Sequence, residues 1–202
     1  SIGILVRSRA HAAEVVSALR AAQIDFSAAD LVQLGKTAIA SQLLALTHAL
    51  LHAGDRLAWL SVLRAPWCGL MLADLEALAA PGADDQSLLV ERCNDEQWLS
   101  RLSTDGRNRV KRLAAAFGRA RGRLGQIPLR DVIEGLWVEL GGPAVAGADL
   151  PLVDLVLDTI GQHDSGGDCA DLLALDASLD ASPSSLPGGG SQVQVMTIHK
   201  AK

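Results

Sequence analysis

Apolar residues recur at intervals of three and four over most of this chain, which is the spacing of one face of an α-helix. The clearest stripe contains Ile39, Leu43, Leu46 and Leu50. The same spacing continues in six further segments, at residues 55–65, 70–79, 94–102, 105–124, 128–140 and 149–160. The sequence therefore predicts a mainly α fold.

Helix-capping residues stand at the start of several of these segments. Asp55, Asn94, Asp105 and Asp149 carry side-chain oxygens that can accept a hydrogen bond from the first turn of a helix. Pro128 suits a first helical turn, where no backbone N–H is needed. We expect helices to begin at these five positions.

The two ends of the chain have a different pattern. Residues 2–6 form a short apolar run, helical spacing follows from Ala12 to Leu19, and residues 24–27 alternate as a second strand would. Residues 193–198 alternate again after a Pro/Gly/Ser-rich linker at 182–192. The pattern predicts a small α/β piece made of the N-terminal and C-terminal strands, with the helices inserted between them.

Composition excludes several classes of protein. With 202 residues and 49% hydrophobic residues, the chain can bury a core. Cys68, Cys93 and Cys169 are odd in number and far apart, so neither a disulfide framework nor a zinc site is indicated. No apolar run reaches the roughly 18 residues of a membrane span and no leader opens the chain. We expect a cytoplasmic protein without membrane contact.

Charge is distributed unevenly along the chain. Residues 101–123 hold eight basic residues and one acidic residue, a net charge of +7, whereas residues 124–182 have a net charge of −10. The basic stretch can neutralise DNA phosphates, or it can be a solvated helix face that pairs with the acidic helices after it. The candidate phosphate contacts are Arg107, Arg109, Lys111, Arg112, Arg119, Arg121 and Arg123.

Three other motifs are weak. Gly35-Lys36-Thr37 resembles part of a phosphate-binding loop, but Asp30 occupies the position of that loop's first glycine. His48 and His52 have the spacing of two metal ligands on a helix, without a third ligand. Trp67 lies in a turn beside one cation, Arg64, and can stack on a base, although a tryptophan is more often a core residue.

The final residues carry the most specific motif. Residues 195–202, Val-Met-Thr-Ile-His-Lys-Ala-Lys, resemble the start of motif V of superfamily 1 DNA helicases of the UvrD/Rep/RecB type. Residues 4–11 are similar to a strand followed by Arg-Ser in the second motor domain of that family. A third similarity lies within residues 43–70. The segments Leu43-Leu44-Ala45-Leu46, Leu63-Arg64-Ala65-Pro66 and Gly69-Leu70, with Asp55 between the first two, resemble the "DLLAL…D…LR.P..GL" passage of that family, especially in RecB-like exonuclease helicases.

This resemblance implies a domain organisation. Residues 1–68 would be part of the second RecA-like motor domain (2A) and residues 69–181 the helical accessory domain (2B). Residues 182–192 would be the linker, and residues 193–202 the strand that returns to 2A with the start of motif V. The chain would be a fragment of an ATP-dependent helicase or helicase-nuclease of DNA recombination and repair.

The resemblance also implies site residues. Thr197, His199 and Lys202 would contact single-stranded DNA, and Arg7 and Ser8 would be elements of the motor domain. ATP and magnesium would bind the parent protein, because the Walker motifs and the late arginine motif are not in this sequence. We therefore expect no cofactor, no metal site and no catalytic residue in this fragment.

The expected partners are DNA, the remaining helicase domains and nuclease or scaffold subunits. An alternative function is a helical interaction module that docks a partner subunit and contacts DNA only incidentally. A third alternative, an independent small enzyme, requires a pocket of clustered titratable groups that no sequence motif indicates.

Overall fold

The structure is a computed structural model that describes residues 2–7, 9–22, 24, 26–27, 33–80, 87–182 and 193–197. The prediction of a mainly helical fold with a small α/β piece is confirmed at this level. The elements of the first part are β1 (Ile2–Val6), α1 (Arg9–Ala21), β2 (Phe26–Ser27), a 3-10 turn (Leu34–Lys36), α2 (Ala38–Leu51), α3 (Arg56–Arg64), α4 (Leu72–Ala79), α5 (Leu89–Arg92) and α6 (Glu96–Leu99). Those of the second part are α7 (Thr104–Arg121), α8 (Leu129–Glu139), α9 (Gly142–Ala146), a second 3-10 turn (Gly147–Asp149), α10 (Leu150–Gln162), α11 (Leu172–Ala181) and β3 (Val193–Thr197).

The three strands form one parallel sheet in the order β1-β3-β2. Ile4 pairs with Val195, so the expectation that the strands from the two ends are neighbours is confirmed. On the other side of β3, Phe26 pairs with Val193. The second strand is shorter than residues 24–27, since it covers only Phe26–Ser27.

Helix α1 packs on one face of the sheet. Val6 and Val195 are buried against Ala12 of this helix, and Ile4 adds to the same small cluster. Because side chains alternate between the faces of a strand, Leu5 lies on the opposite face and is 55% exposed. That second face has no cover from the residues that the structure describes.

The helices from α2 to α11 share a larger core of their own. It runs from Leu34 to Leu179, and Trp59 contacts Phe117 at 4.7 Å between ring centroids. Helices α2 and α3 pack in this core together with α7, α8 and α10, on both sides of the predicted division at residue 68. The burial of such large side chains supplies most of the stability of this part, at roughly 1.5–3 kcal/mol per side chain.

Helix starts agree only partly with the predicted caps. Asp55 caps α3 as expected, since its side chain accepts from the N–H of Ala58. The cap of α7 is Ser103 rather than Asp105, and the cap of α6 is Asp95 rather than Asn94. Asp105 instead lies in the first turn of α7, where a carboxylate is favoured by the helix dipole.

The chain enters and leaves the helical part at neighbouring points. The N–H of Leu34 donates to the carbonyl of Ser182 at 2.8 Å, just before α2 and just after α11. Gly35 packs against Asp180, so closely that a Cβ there would lie 2.9 Å from the Asp180 nitrogen. We call this pair of passages, residues 34–36 and 180–182, the junction.

Among the described residues, no helix is both long enough and apolar enough to cross a membrane.

Candidate nucleic-acid interface

Two of the predicted motor-domain residues, Arg7 and Thr197, lie at the same edge of the sheet. Because β1 and β3 run parallel and Val6 pairs with Thr197, both strands end at the same place. Arg7 follows Val6 directly and is exposed. The carboxyl ends of parallel strands are where open α/β sheets commonly bind ligands. We call this the carboxyl edge; Ser8, His199 and Lys202 lie outside the described residues.

Helix α7 carries most of the other predicted contacts. Its buried positions follow helical spacing, and the basic residues lie on its flanks rather than on one common face. The buried residues are Gly106, Val110, Leu113, Ala116, Phe117 and Ala120. The basic side chains are therefore close to neighbouring segments on both sides of the helix.

Two of these arginines bind the turn that follows α3. The Nη1 atom of Arg109 donates to the carbonyl of Cys68 at 2.8 Å, and Arg112 donates to the carbonyl of Trp67. Carbonyls beyond a helix end have no partner within the helix, and the negative end of the helix dipole attracts a cation. Arg109 and Arg112 thus hold the α3–α4 connection onto α7.

Two further basic residues of α7 bind the short helix α6. Arg107 donates from Nε to the carbonyl of Leu99 at 3.1 Å. Lys111 forms an ion pair with Glu96 of the same short helix, at 2.6 Å between Nζ and Oε1. Both basic residues are therefore engaged within the chain.

Arg119 pairs with the helix that follows α7. Its Nε atom donates to Glu139 of α8 at 2.8 Å, and this hydrogen bond raises the pKa of the exposed Arg119 guanidinium. This contact agrees with the alternative in which the basic helix pairs with the acidic helices after it.

Arg121 and Arg123 are the remaining candidates. Within the described part of the chain, neither side chain makes a hydrogen bond or an ion pair. Arg121 is half-buried and Arg123 is exposed, and both lie at the C-terminal end of α7. Of the seven predicted phosphate contacts, these two have guanidinium groups that no described side chain or carbonyl occupies.

Arg130 organises the acidic segment, and sequence reasoning missed this role. It contacts Glu134 at 2.7 Å, Asp158 at 3.0 Å and Asp154 at 3.5 Å, which ties α8 to α10. The hydrogen bond that Arg130 donates to Asp158 is the main cause of the raised pKa of Arg130. The sequence did contain a signal for this role, since Arg130 is the only lysine or arginine in the acidic stretch at residues 124–182.

The segment Gly35-Lys36-Thr37 does not fit a nucleotide. The hydroxyl of Thr37 donates to the carbonyl of Leu34 at 2.7 Å and accepts from the N–H of Ala40, so it serves as the cap of α2. Gly35 faces the carboxylate of Asp180, which repels phosphate.

The other weak motifs have structural roles. His48 is half-buried and contacts two carboxylates, whereas His52 ends α2 and is exposed. Trp67 is buried in the core. Trp98, which the sequence did not single out, has the guanidinium groups of Arg92 and Arg101 within 4.1 Å of its ring centroid. None of the described tryptophans is exposed enough to serve as a platform for base stacking.

The cysteines are buried free thiols. Burial raises the pKa of Cys93 to about 12, and it also raises the pKa of Cys68. Such thiols are poor nucleophiles and poor metal ligands, since both functions need the thiolate. Across the described residues, no group of three or more His, Cys, Asp or Glu side chains is arranged to hold a metal ion.

No protein-family model matches this chain, and no curated protein matches it either.

Proposed function

We propose that this chain is part of an ATP-dependent DNA helicase or helicase-nuclease of the UvrD/Rep/RecB type. Residues 195–202 would contribute the start of motif V, and Thr197, His199 and Lys202 would contact the backbone of single-stranded DNA. ATP and magnesium would be bound by other parts of the parent protein, because the Walker motifs and the late arginine motif are not in this sequence.

The pairing of β1 with β3 is the observation that carries this assignment. A parallel sheet joins strands from the two ends of the chain, and the helices lie between them in sequence. This order agrees with a 2B domain inserted in a 2A domain. Arg7 directly follows β1, and Thr197 ends β3 beside it. If residues 195–202 are the start of motif V, a hydroxyl, an imidazole and cations would meet phosphates at this edge.

The exposed face of the sheet supports the same assignment. Parallel sheets are normally covered on both faces. Leu5 is 55% exposed and pairs with Met196, so an apolar strip lies on the face away from α1. The remaining parts of a RecA-like motor domain would cover it.

The helical unit would orient duplex DNA or regulate the motor. The division between 2A and 2B at residue 68 is part of this proposal. In the structure, α2 and α3 come before residue 68 but pack in the same core as the helices that follow it. Arg121 and Arg123 are the cations best placed to hold a duplex backbone, since they have no described partner.

A helical interaction module is the second candidate function. The observation that favours it is that five of the seven predicted phosphate contacts are engaged inside the chain. A helix whose cations hold neighbouring carbonyls and carboxylates offers little charge to DNA. In this case the helices would dock a partner subunit, such as a nuclease or scaffold subunit.

The test is binding of single-stranded DNA by this chain. Fluorescence anisotropy of a labelled (dT)20 is measured at several salt concentrations for the wild type, Lys202→Glu and His199→Ala. We expect Lys202→Glu to weaken binding at least about threefold at low salt and to reduce the salt slope by about 1. We expect His199→Ala to weaken binding less, because it removes no formal charge at neutral pH.

Lys36→Glu is the matched control, since it makes the same charge change at an exposed lysine in the junction. An equal loss of affinity in Lys36→Glu and Lys202→Glu would show only an effect of net charge and would contradict a site at the carboxyl edge. Absence of single-strand binding at low salt would also contradict it.

A further inference from the structure

A groove lies between α2, α3 and α11, next to the junction. Its volume is about 360 Å³, within the range of sites that bind small molecules and side chains. Its apolar lining includes Leu44, Ala45 and Leu57. Leu57 is 75% exposed, an unusual state for a leucine that lines a concave surface. The groove therefore presents apolar area that nothing in the described chain covers.

Three carboxylates lie beside the apolar lining of the groove. Asp55 lies on the α3 side, and Asp176 and Asp180 lie on α11. His48 bridges the first two, with its Nδ1 atom 3.5 Å from Asp55 and its Nε2 atom 3.0 Å from Asp176. Asp180 is exposed and has no ion pair with any described residue.

No lysine or arginine lines the groove among the described residues. The nearest candidate on α3 is Arg56, but it donates to the carbonyl of Ala79 and is therefore committed to the end of α4. Asp55 also accepts from the N–H of Ala58, so it is held in place by its own helix. The border is consequently negative, and its geometry is fixed by helix caps and by His48.

We propose that this groove docks a basic, amphipathic segment of a partner protein. The aliphatic stems of lysine and arginine side chains can lie on apolar surface while their charged ends stay at its polar border. Here the stems and apolar residues of the segment would contact Leu44 and Leu57. The cationic ends would reach Asp176 and Asp180.

Charge selects this occupant over nucleic acid, because carboxylates at the border repel phosphate. The site is distinct from the carboxyl edge and does not depend on the helicase assignment. It lies beside the junction, so a bound segment would contact the helix through which the chain leaves the helical part, close to Asp180 and Ser182.

The test uses this 202-residue chain and a synthetic probe. The probe is a fluorescein-labelled peptide of 14 residues with leucines and lysines at helical spacing, and the control peptide has glutamate in place of each lysine. Anisotropy gives the affinity, and ¹H–¹⁵N spectra locate the contact. We expect the lysine peptide to bind, with shifts at Leu44, Leu57 and Asp180, and the glutamate peptide not to bind.

Two variants change the groove without touching the core. Asp180→Asn removes one exposed charge and is expected to weaken binding about two- to fivefold, the effect of one exposed ion pair. Leu57→Ala is expected to weaken it about tenfold through lost apolar contact. The matched controls are Asp131→Asn, at an exposed carboxylate of α8, and Leu72→Ala, at a leucine of α4 that is 69% exposed.

Several results would overturn the docking site. Equal binding of both peptides would show that charge does not select the occupant. Equal effects of Asp180→Asn and Asp131→Asn would show an influence of net charge alone. Concentration-dependent dimerisation that Leu57→Ala abolishes would assign the groove to a second copy of this chain instead.

Discussion

Arg109 on α7 donates a hydrogen bond to the carbonyl of Cys68, a residue 41 positions earlier in the chain. Its neighbour on the same flank, Arg112, donates to the carbonyl of Trp67. The connection after α3 thus has its carbonyls satisfied by a helix that is distant in sequence. Three of the basic residues in this stretch, Arg107, Arg109 and Arg112, therefore bind carbonyls at or beyond the end of a helix.

Removal of the Arg109 side chain is predicted to destabilise the fold. Arg109→Ala leaves the carbonyl of Cys68 without its partner, which costs about 1–3 kcal/mol of unfolding free energy. Chemical denaturation monitored by tryptophan fluorescence measures this loss. Arg121→Ala is the control on the same helix, and its effect is expected to stay within about 0.5 kcal/mol. Equal stabilities of the two variants would contradict the assigned role of Arg109.

Duplex binding by α7 is predicted to depend on its C-terminal end. The double variant Arg121→Glu/Arg123→Glu is expected to reduce the salt slope of duplex affinity by about 2, one for each lost phosphate contact. Anisotropy of a labelled forked duplex at several salt concentrations measures it. Arg121→Lys/Arg123→Lys keeps both charges and serves as the control. An unchanged slope in the glutamate variant would favour the interaction module.

Two glycines are predicted to respond to alanine with opposite signs. Gly167 has a φ of 86°, and a Cβ there would lie 2.7 Å from the Cα of Gly125 in the facing loop. Gly167→Ala is therefore expected to destabilise the protein by about 1–3 kcal/mol. Gly118 lies within α7 with open space around it, so Gly118→Ala is expected to stabilise by about 0.5–1 kcal/mol. Thermal unfolding of both variants measures the contrast.

Alkaline stability is predicted to depend on Cys93. Its pKa is raised by burial from 9.0 to about 12 in the folded protein. The unfolded chain therefore releases this proton first, and the stabilising contribution is complete below pH 9 and lost as the pH rises towards 12. Denaturation between pH 8 and about 10.5 is expected to show a steeper decline for the wild type than for Cys93→Ala. Parallel declines would place the cause at another group.

Helical spacing was enough to predict most of the long helices, because each has a continuous buried stripe. Helix α11 was not predicted, since only Leu175 and Leu179 are buried along it. The caps Ser103 and Asp95 each lie within two residues of the predicted ones, because several polar residues next to a helix start compete for one position. Such local competition is decided by the packing of the whole helix.

The candidate site was predictable in part. The apolar run at residues 2–6 and the alternation at residues 193–198 predicted the two end strands, and the pairing of β1 with β3 puts Arg7 beside the end of β3. The partners of the basic residues were not predictable, since contacts such as that of Arg112 with Trp67 join segments far apart in sequence. A charge count shows how many cations a helix carries, but tertiary packing determines which of them remain available.

The hydrogen bond between Leu34 and Ser182 bears on how quickly this chain can assemble. Closing a loop costs more entropy as the loop lengthens, and β1 and β3 are separated by most of the polypeptide. Once the helices have packed, however, Leu34 and Ser182 at the two ends of the helical part are already in contact. The pairing of β1 with β3 then has to close only residues 7–33 and 183–192, so it costs less loop entropy than the separation of the two strands in sequence implies.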